Sequence, residues 1–203
     1  NSEEVNELQR WGAEAIVTDH HDLPETLPPC IVLNPNQSDC GFNGQQLAGV
    51  GVAFYLAAGL RKHLRTLGFF THTAEPNLKD FLAYAALGTI ADMVPLLGTN
   101  RVLVRAGLEV LEQTIFPGLH ALLAETGINH GKIFSDDIGF QLGPKINAAG
   151  RMASADLAMR LLVSDNQEDS VKLARKLHNI NHERKACCKD NLEYALTIVD
   201  RQE

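Results

Sequence analysis

The stretch AEAIVTDHHD, residues 13–22, decides the fold. Its first half is a short apolar run rich in β-branched residues and reads as a buried strand. The segment before it reads as a helix: Ser2 can cap it, Glu3 and Glu4 sit in its first turn, and Gly12 ends it. A helix that feeds a strand through one glycine is half of an α/β unit. Asp19, His20 and His21 then fall at the carboxyl end of the strand, where open parallel sheets place their ligands. The strand that should precede the helix is missing and the first residue is Asn, so the chain reads as a piece of a longer protein.

Working outward, residues 24–46 are rich in Pro, Asn and Gly and read as loop around one strand, CIVLN. Leu47–Leu60 is apolar on every face and predicts a helix buried on all sides. Asn77 is the expected cap of LKDFLAYAALGTIAD, which stops before Pro95, and Asn100 that of RVLVRAGLEVLEQ. PGLHALLAETG has Pro first and Gly after, the usual helix asymmetry. From Ser135 onward no strand pattern remains. A helix over DDIGFQL, a loop GPKINAAGR and a helix over SADLAMRLLVS lead into one long helix after Asn166. The expected fold is α/β: a truncated parallel sheet flanked by helices, then an all-helical segment and a long connector helix. The expected divisions are 1–115, 116–165 and 166–203.

Composition narrows the class. Of 203 residues, 45% are apolar and 21% charged, as in globular chains. The longest apolar stretch, Leu47–Leu60, is shorter than the roughly 18–20 residues of a bilayer span. No basic-then-apolar leader is present, so neither a membrane protein nor an exported one is expected. The net charge of -7 argues against a generally basic nucleic-acid coat. It is uneven, however: residues 1–29 hold seven carboxylates and one Arg, and residues 171–189 hold six Lys/Arg and one Glu. Such polarity suits a metal site beside a polyanion track, or simply two solvated helix faces. Cys30, Cys40, Cys187 and Cys188 form no disulfide or zinc framework, which points to a reducing cytoplasm.

Four features carry candidate chemistry. Asp19-His20-His21 stands in a loop where apolar packing does not explain it. Imidazole and carboxylate are metal ligands, and a neighbouring carboxylate fixes a ring's tautomer; a solvated polar loop is the alternative. Asp92 ends an apolar helix, where the partial negative charge disfavours a carboxylate. A cation would compensate it; an exposed terminal Asp is the alternative. GPKINAAGRM, residues 143–152, gathers Lys145, Asn147 and Arg151 among glycines, as anion sites do, although a turn joining two helices would look the same. The basic residues Lys172, Arg175, Lys176, Arg184, Lys185 and Lys189 spread over more than one helix face and read first as a solvated surface. His63, His72, His120 and His130 show no ligand spacing, and His178 and His182 lack the Glu of an H-E-x-x-H motif.

Taken together, VTDHHDLPETLP, LAGVGVAFYLAAGLR, ALGTIADMVPLLGTNRVLVRAGL, GPKINAAGRM and NHERK resemble the DHH phosphoesterases. The combination of LAGVGVAF, GTIADMVPL and GPKINAAGR resembles more narrowly the branch that degrades single-stranded DNA from the 5′ end in repair and recombination. The resemblance implies two Mn²⁺ or Mg²⁺ ions. It makes His20 and Asp92 metal ligands, Asp19 the residue that orients His20, and His21 the group facing the scissile phosphate. It makes Lys145, Asn147 and Arg151 contacts to DNA phosphates. Two metals activate water and clamp the attacking and leaving oxygens. Other members of the family act on short oligonucleotides, cyclic dinucleotides or pyrophosphate, and a non-catalytic nucleic-acid-binding module on the same scaffold is the third reading. The family's other acidic ligands and its downstream domains have no counterpart here, so the chain by itself is expected to bind Mn²⁺ weakly and to be inactive.

Overall fold

The computed structural model describes residues 2–42, 46–128 and 131–199. His130 lies outside them. The chain forms two compact units, Asn1–Val110 and Leu111–Glu203. The division falls at 110/111 rather than 115/116, and the long C-terminal helix belongs to the second unit.

The first unit begins with helix α1 (Ser2–Arg10), which buries Val5 and leaves Trp11 exposed just beyond it. Gly12, at φ 77°, ends it. Strands β1 (Ile16–Thr18) and β2 (Ile31–Leu33) pair in parallel, Ile16 opposite Ile31 and Thr18 opposite Leu33. Helices α2 (Gly49–Thr66), α3 (Leu82–Ala91) and α4 (Gly98–Leu111) follow. Leu47, Val52 and Leu103 form a core with Leu33, Phe42, Phe54 and Leu82 packed against it. Helix α3 is the most enclosed, with Ala83, Ala85, Ala86, Leu87 and Thr89 buried. Gly88 lets α2 approach α3: a Cβ there would lie 2.7 Å from Val50 Cγ1.

Several local expectations change. The strand at residue 16 is not buried; Ile16 and Ile31 are both more than half exposed. A two-strand ribbon covers one face at most, and this pair is on the other. Helix α2 is apolar all round but buries Gly51 and Val52 and turns Tyr55, Leu56 and Leu60 outward. An apolar face is buried only where a neighbour exists to meet it. Asn77 does not cap α3. Its side chain accepts from Lys79 N–H (3.2 Å) and closes a turn ahead of the helix. Asn100 lies inside the first turn of α4, buried, rather than at its cap.

The second unit is all helical: α5 (Pro117–Ala124), α6 (Ser135–Asp137), a π-turn (Ile138–Leu142), α7 (Gly143–Met152), α8 (Ala155–Leu162) and α9 (Gln167–Val199). Leu119, Leu122, Ile138, Leu142, Leu161 and Leu177 fill its core. The segment GPKINAAGRM is helix α7, not the expected loop. Its glycines and Asn lower helix propensity, but Gly143, Ala148 and Ala149 are buried and α7 packs along α9. That burial outweighs propensities of a few tenths of a kcal/mol to about 1 kcal/mol per residue. Helix α9 buries Ala174, Leu177, Ile180 and Asn181 in its first half. Its second half exposes Leu192, Tyr194, Leu196 and Val199. Among the described residues no helix is long and apolar enough to cross a membrane.

Candidate metal centre

Strand β1 ends at Thr18, and its last ladder bond runs from Asp19 N–H to Leu33 C=O (3.0 Å). The chain then turns, and Asp19 organises the turn. Its Oδ1 accepts from the backbone N–H of His20 (2.7 Å) and of His21 (3.3 Å) and lies 2.7 Å from His21 Nδ1. Asp19 therefore bonds the ring of His21, not that of His20 as expected; it holds His20 through the backbone. The hydrogen bond to Asp19 raises His21 above the ordinary imidazole range, with the charges of Asp19, Asp92 and Asp22 adding to it. The same bond holds Asp19 below the usual carboxylate range. His21 Nε2 is left on a side chain that is 75% exposed.

His20 is more enclosed, with 18% of its side chain exposed, and its ring lies against that of His21, centroids 4.2 Å apart and tilted by 41°. The His20 ring also rests on the first residue of α2: a Cβ on Gly49 would lie 3.3 Å from His20 Cδ2. Asp92 arrives from α3, whose last turn it closes with N–H to Gly88 C=O (2.9 Å). His20 Nε2 and Asp92 Oδ2 are 3.4 Å apart. Two ligands of one ion, each about 2.1 Å from it, stand about 3.0–3.4 Å apart at octahedral to tetrahedral angles. The pair thus fits a shared divalent ion, and a mixed imidazole–carboxylate set suits Mn²⁺ better than Mg²⁺. Asp19, His20 and His21 also offer ligand atoms within 4.8 Å of one another.

The second unit holds the other three expected site residues. Asn147 and Arg151, one helical turn apart, lie on an exposed face of α7. Lys145 faces inward, 6% exposed, and its ammonium donates to Gln141 C=O (3.1 Å). Burial pushes its pKa down, and the charge of Lys185 adds to that. Gln141 in turn donates to Asp137 (3.1 Å), which also accepts from Phe134 N–H (2.9 Å). Lys145 is thus tied into the π-turn and does not share the exposed face of the other two. In the basic stretch of α9, Lys172 pairs with Glu168 (2.7 Å), Arg175 with Glu125 (3.4 Å) and Lys189 with Glu193 (3.7 Å).

Three residues at the first site went unread in the sequence. Gly49 passed as one small residue among many. Asn34 reads as the end of the strand CIVLN and Asn36 as loop, although both hydrogen-bond the carbonyls of His20 and His21. The only available signal was their position, flanking Pro35 at the end of a strand.

Known proteins resemble the chain in sequence and in fold. The sequence pattern of the DHH family, N-terminal domain, matches residues 1–89. The single-stranded-DNA-specific exonuclease RecJ of Haemophilus influenzae is 43% identical over 180 residues, which cover 88% of this chain and 31% of that protein. A crystal structure of exonuclease RecJ bound to manganese superposes with a TM-score of 0.84 at 34% identity, over 97% of this chain and 48% of that one. RecJ of Thermus thermophilus in complex with Mn²⁺ gives 0.82 at 35% identity, over 97% of this chain and 28% of that one. The chain spans about a third of the length of the curated relatives it matches first. By sequence and by fold, then, the chain is similar to the DHH family, N-terminal domain, over residues 1–89 and to the RecJ exonucleases over nearly its whole length.

Proposed function

We propose that this chain is the metal- and substrate-binding part of a divalent-metal-dependent 5′-to-3′ exonuclease acting on single-stranded DNA in repair and recombination, within a reducing cytoplasm. The observation that carries the reading is the 3.4 Å approach of His20 Nε2 to Asp92 Oδ2, made by two elements far apart in sequence. In this reading His20 and Asp92 hold Mn²⁺ or Mg²⁺, and the ions supply the positive charge that a phosphodiester hydrolysis needs at its reacting oxygens. Asp19 fixes the turn and the orientation of His21. His21, its Nδ1 engaged by Asp19, presents Nε2 outward to the scissile phosphate and holds a proton there. Arg151 and Asn147 contact DNA phosphates, Arg151 through its bidentate fork. Lys145 supports that helix from within. The second half of α9 serves as the connector to whatever follows.

The test is a chimera in which this segment replaces the corresponding one of the Haemophilus influenzae relative, assayed on 5′-phosphorylated single-stranded DNA with Mn²⁺. His20→Ala and Asp92→Ala should each cost more than the roughly 10–100-fold typical of a residue behind the ligands, with unchanged melting temperature. Retained activity in either variant would sink the reading. Faster cleavage of dinucleotides than of long strands would move it to another branch of the family.

A further inference from the structure

The turn that carries His20 and His21 is held by a second structure besides Asp19. In a parallel ladder, bonding from one residue alternates between the two neighbours of its partner. After Asp19 N–H to Leu33 C=O, the next donor from β2 is the N–H of residue 35. That residue is Pro35, which has none. The bond lost is the one to Asp19 C=O, so the ladder stops there, and the carbonyls of His20 and His21 beyond it need other partners. The residues on either side of Pro35 supply them by side chain. Asn36 Nδ2 donates to His20 C=O (2.9 Å) and lies 3.2 Å from His21 C=O. Asn34 Nδ2 donates to His21 C=O (2.9 Å). Asn34 Oδ1 accepts from Asn36 N–H (2.9 Å), locking the two asparagines together. Asn34 is 4% exposed, so its amide has no water to turn to. Gln37 folds the following loop back on β2, donating to Val32 C=O (2.9 Å).

We propose that Asn34 and Asn36 are positioning residues for the metal centre. They tie the turn to β2 beyond the point where Pro35 ends the ladder, and they hold the backbone of His20 and His21 so that the His20 ring meets Asp92 while the His21 side chain stays exposed. The proposal rests on the metal-site reading given above, and it reaches the ion only through the backbone of the two histidines. A turn held by Asp19 alone would keep the short-range bonds of residues 19–21 but lose the anchor to β2. The angle between the two imidazoles would then be free to vary.

The 203-residue chain tests this by two readouts, with Asn36→Ala as the main variant because Asn36 is less enclosed than Asn34. Imidazole ¹⁵N and ¹H spectra without metal report the His21–Asp19 bond and the setting of His20. Asn36→Ala should shift and broaden the signals of both rings while the melting temperature stays within a few degrees. Asn36→Gln, which keeps the amide donor, should recover part of the parent spectrum. Titration with Mn²⁺, followed by water-proton relaxation, should then show about a tenfold loss of affinity in Asn36→Ala, the low end of what supporting residues cost. Parent-like imidazole spectra in Asn36→Ala overturn the clamp, as does parent-like Mn²⁺ affinity where the parent binds. A parent chain that binds no Mn²⁺ counts against the metal reading alone, and the metal-free spectra still decide the clamp.

Discussion

Met93 follows Asp92 directly and sits at φ 58°, the one non-glycine residue with positive φ among those described. It occupies the position just past α3 where a left-handed residue usually turns the chain, and where glycine is the usual choice. A side chain there costs about 1–2 kcal/mol. Met93→Gly should therefore stabilise the chain by about 0.5–1 kcal/mol once the larger chain entropy of glycine is set against the relief, as urea unfolding will show. The pair Asp19 and His21 makes a second prediction at this scale. His21 is raised by Asp19, so the bond favours the folded state below the unfolded imidazole value and fades as pH rises through the folded one. Asp19 is lowered, so its share is present above the ordinary Asp value and is lost as pH falls through the folded one. The bond is complete between those limits. Asp19→Asn should lower the His21 midpoint in an NMR titration of the metal-free chain; an unmoved midpoint would show that the bond does not form in solution.

At the scale of elements, the metal centre depends on how closely α2 and α3 approach, since one carries the residue under His20 and the other ends in Asp92. Gly88 sets that approach. Gly88→Ala places a methyl inside the space of Val50, and overpacking of this kind costs about 1–3 kcal/mol. Thermal melts should show the loss, and an unchanged melting temperature would mean that Val50 simply rotates away. Helix α7 illustrates the opposite balance, a buried cation kept in place. Lys145 has its pKa pushed down by burial, so above that value the native state holds fewer protons than the unfolded chain. Stability should rise with pH from the lowered value toward 10.5, and Lys145→Met should flatten that rise in denaturation curves taken from neutral to alkaline pH. A rise of equal size in both proteins would assign it to other groups.

For the whole molecule, a net charge of -7 means that any hold on a polyanion comes from a local patch. Much of the basic stretch in α9 is already paired with Glu side chains, whereas Arg151 lies on an open face of α7. Arg151→Ala should weaken binding of single-stranded DNA about equally for all sequences and flatten the log–log salt dependence by about 0.7, the value of one phosphate contact on a single strand. An unaltered slope would remove Arg151 from the interface. The residue types of the centre were legible in the order of letters. A short strand signal running into Asp19-His20-His21, and a carboxylate ending an apolar helix at Asp92, are local patterns that need no partner to be seen. The helices were legible too, with end errors at Asn77 and Asn100, because capping residues also serve turns and buried ties. What the letters could not carry was cover and contact. Whether Ile16 is buried depends on what lies over it. GPKINAAGRM is a helix because α9 is there to bury Ala148 and Ala149. The bonds from Asn34 and Asn36 to the two histidine carbonyls, the glycine beneath His20 and the meeting of His20 with Asp92 join residues distant in the chain. Such pairs exist only after packing has brought their backbones together. Local sequence determined which groups were available, and tertiary structure decided which of them share a site.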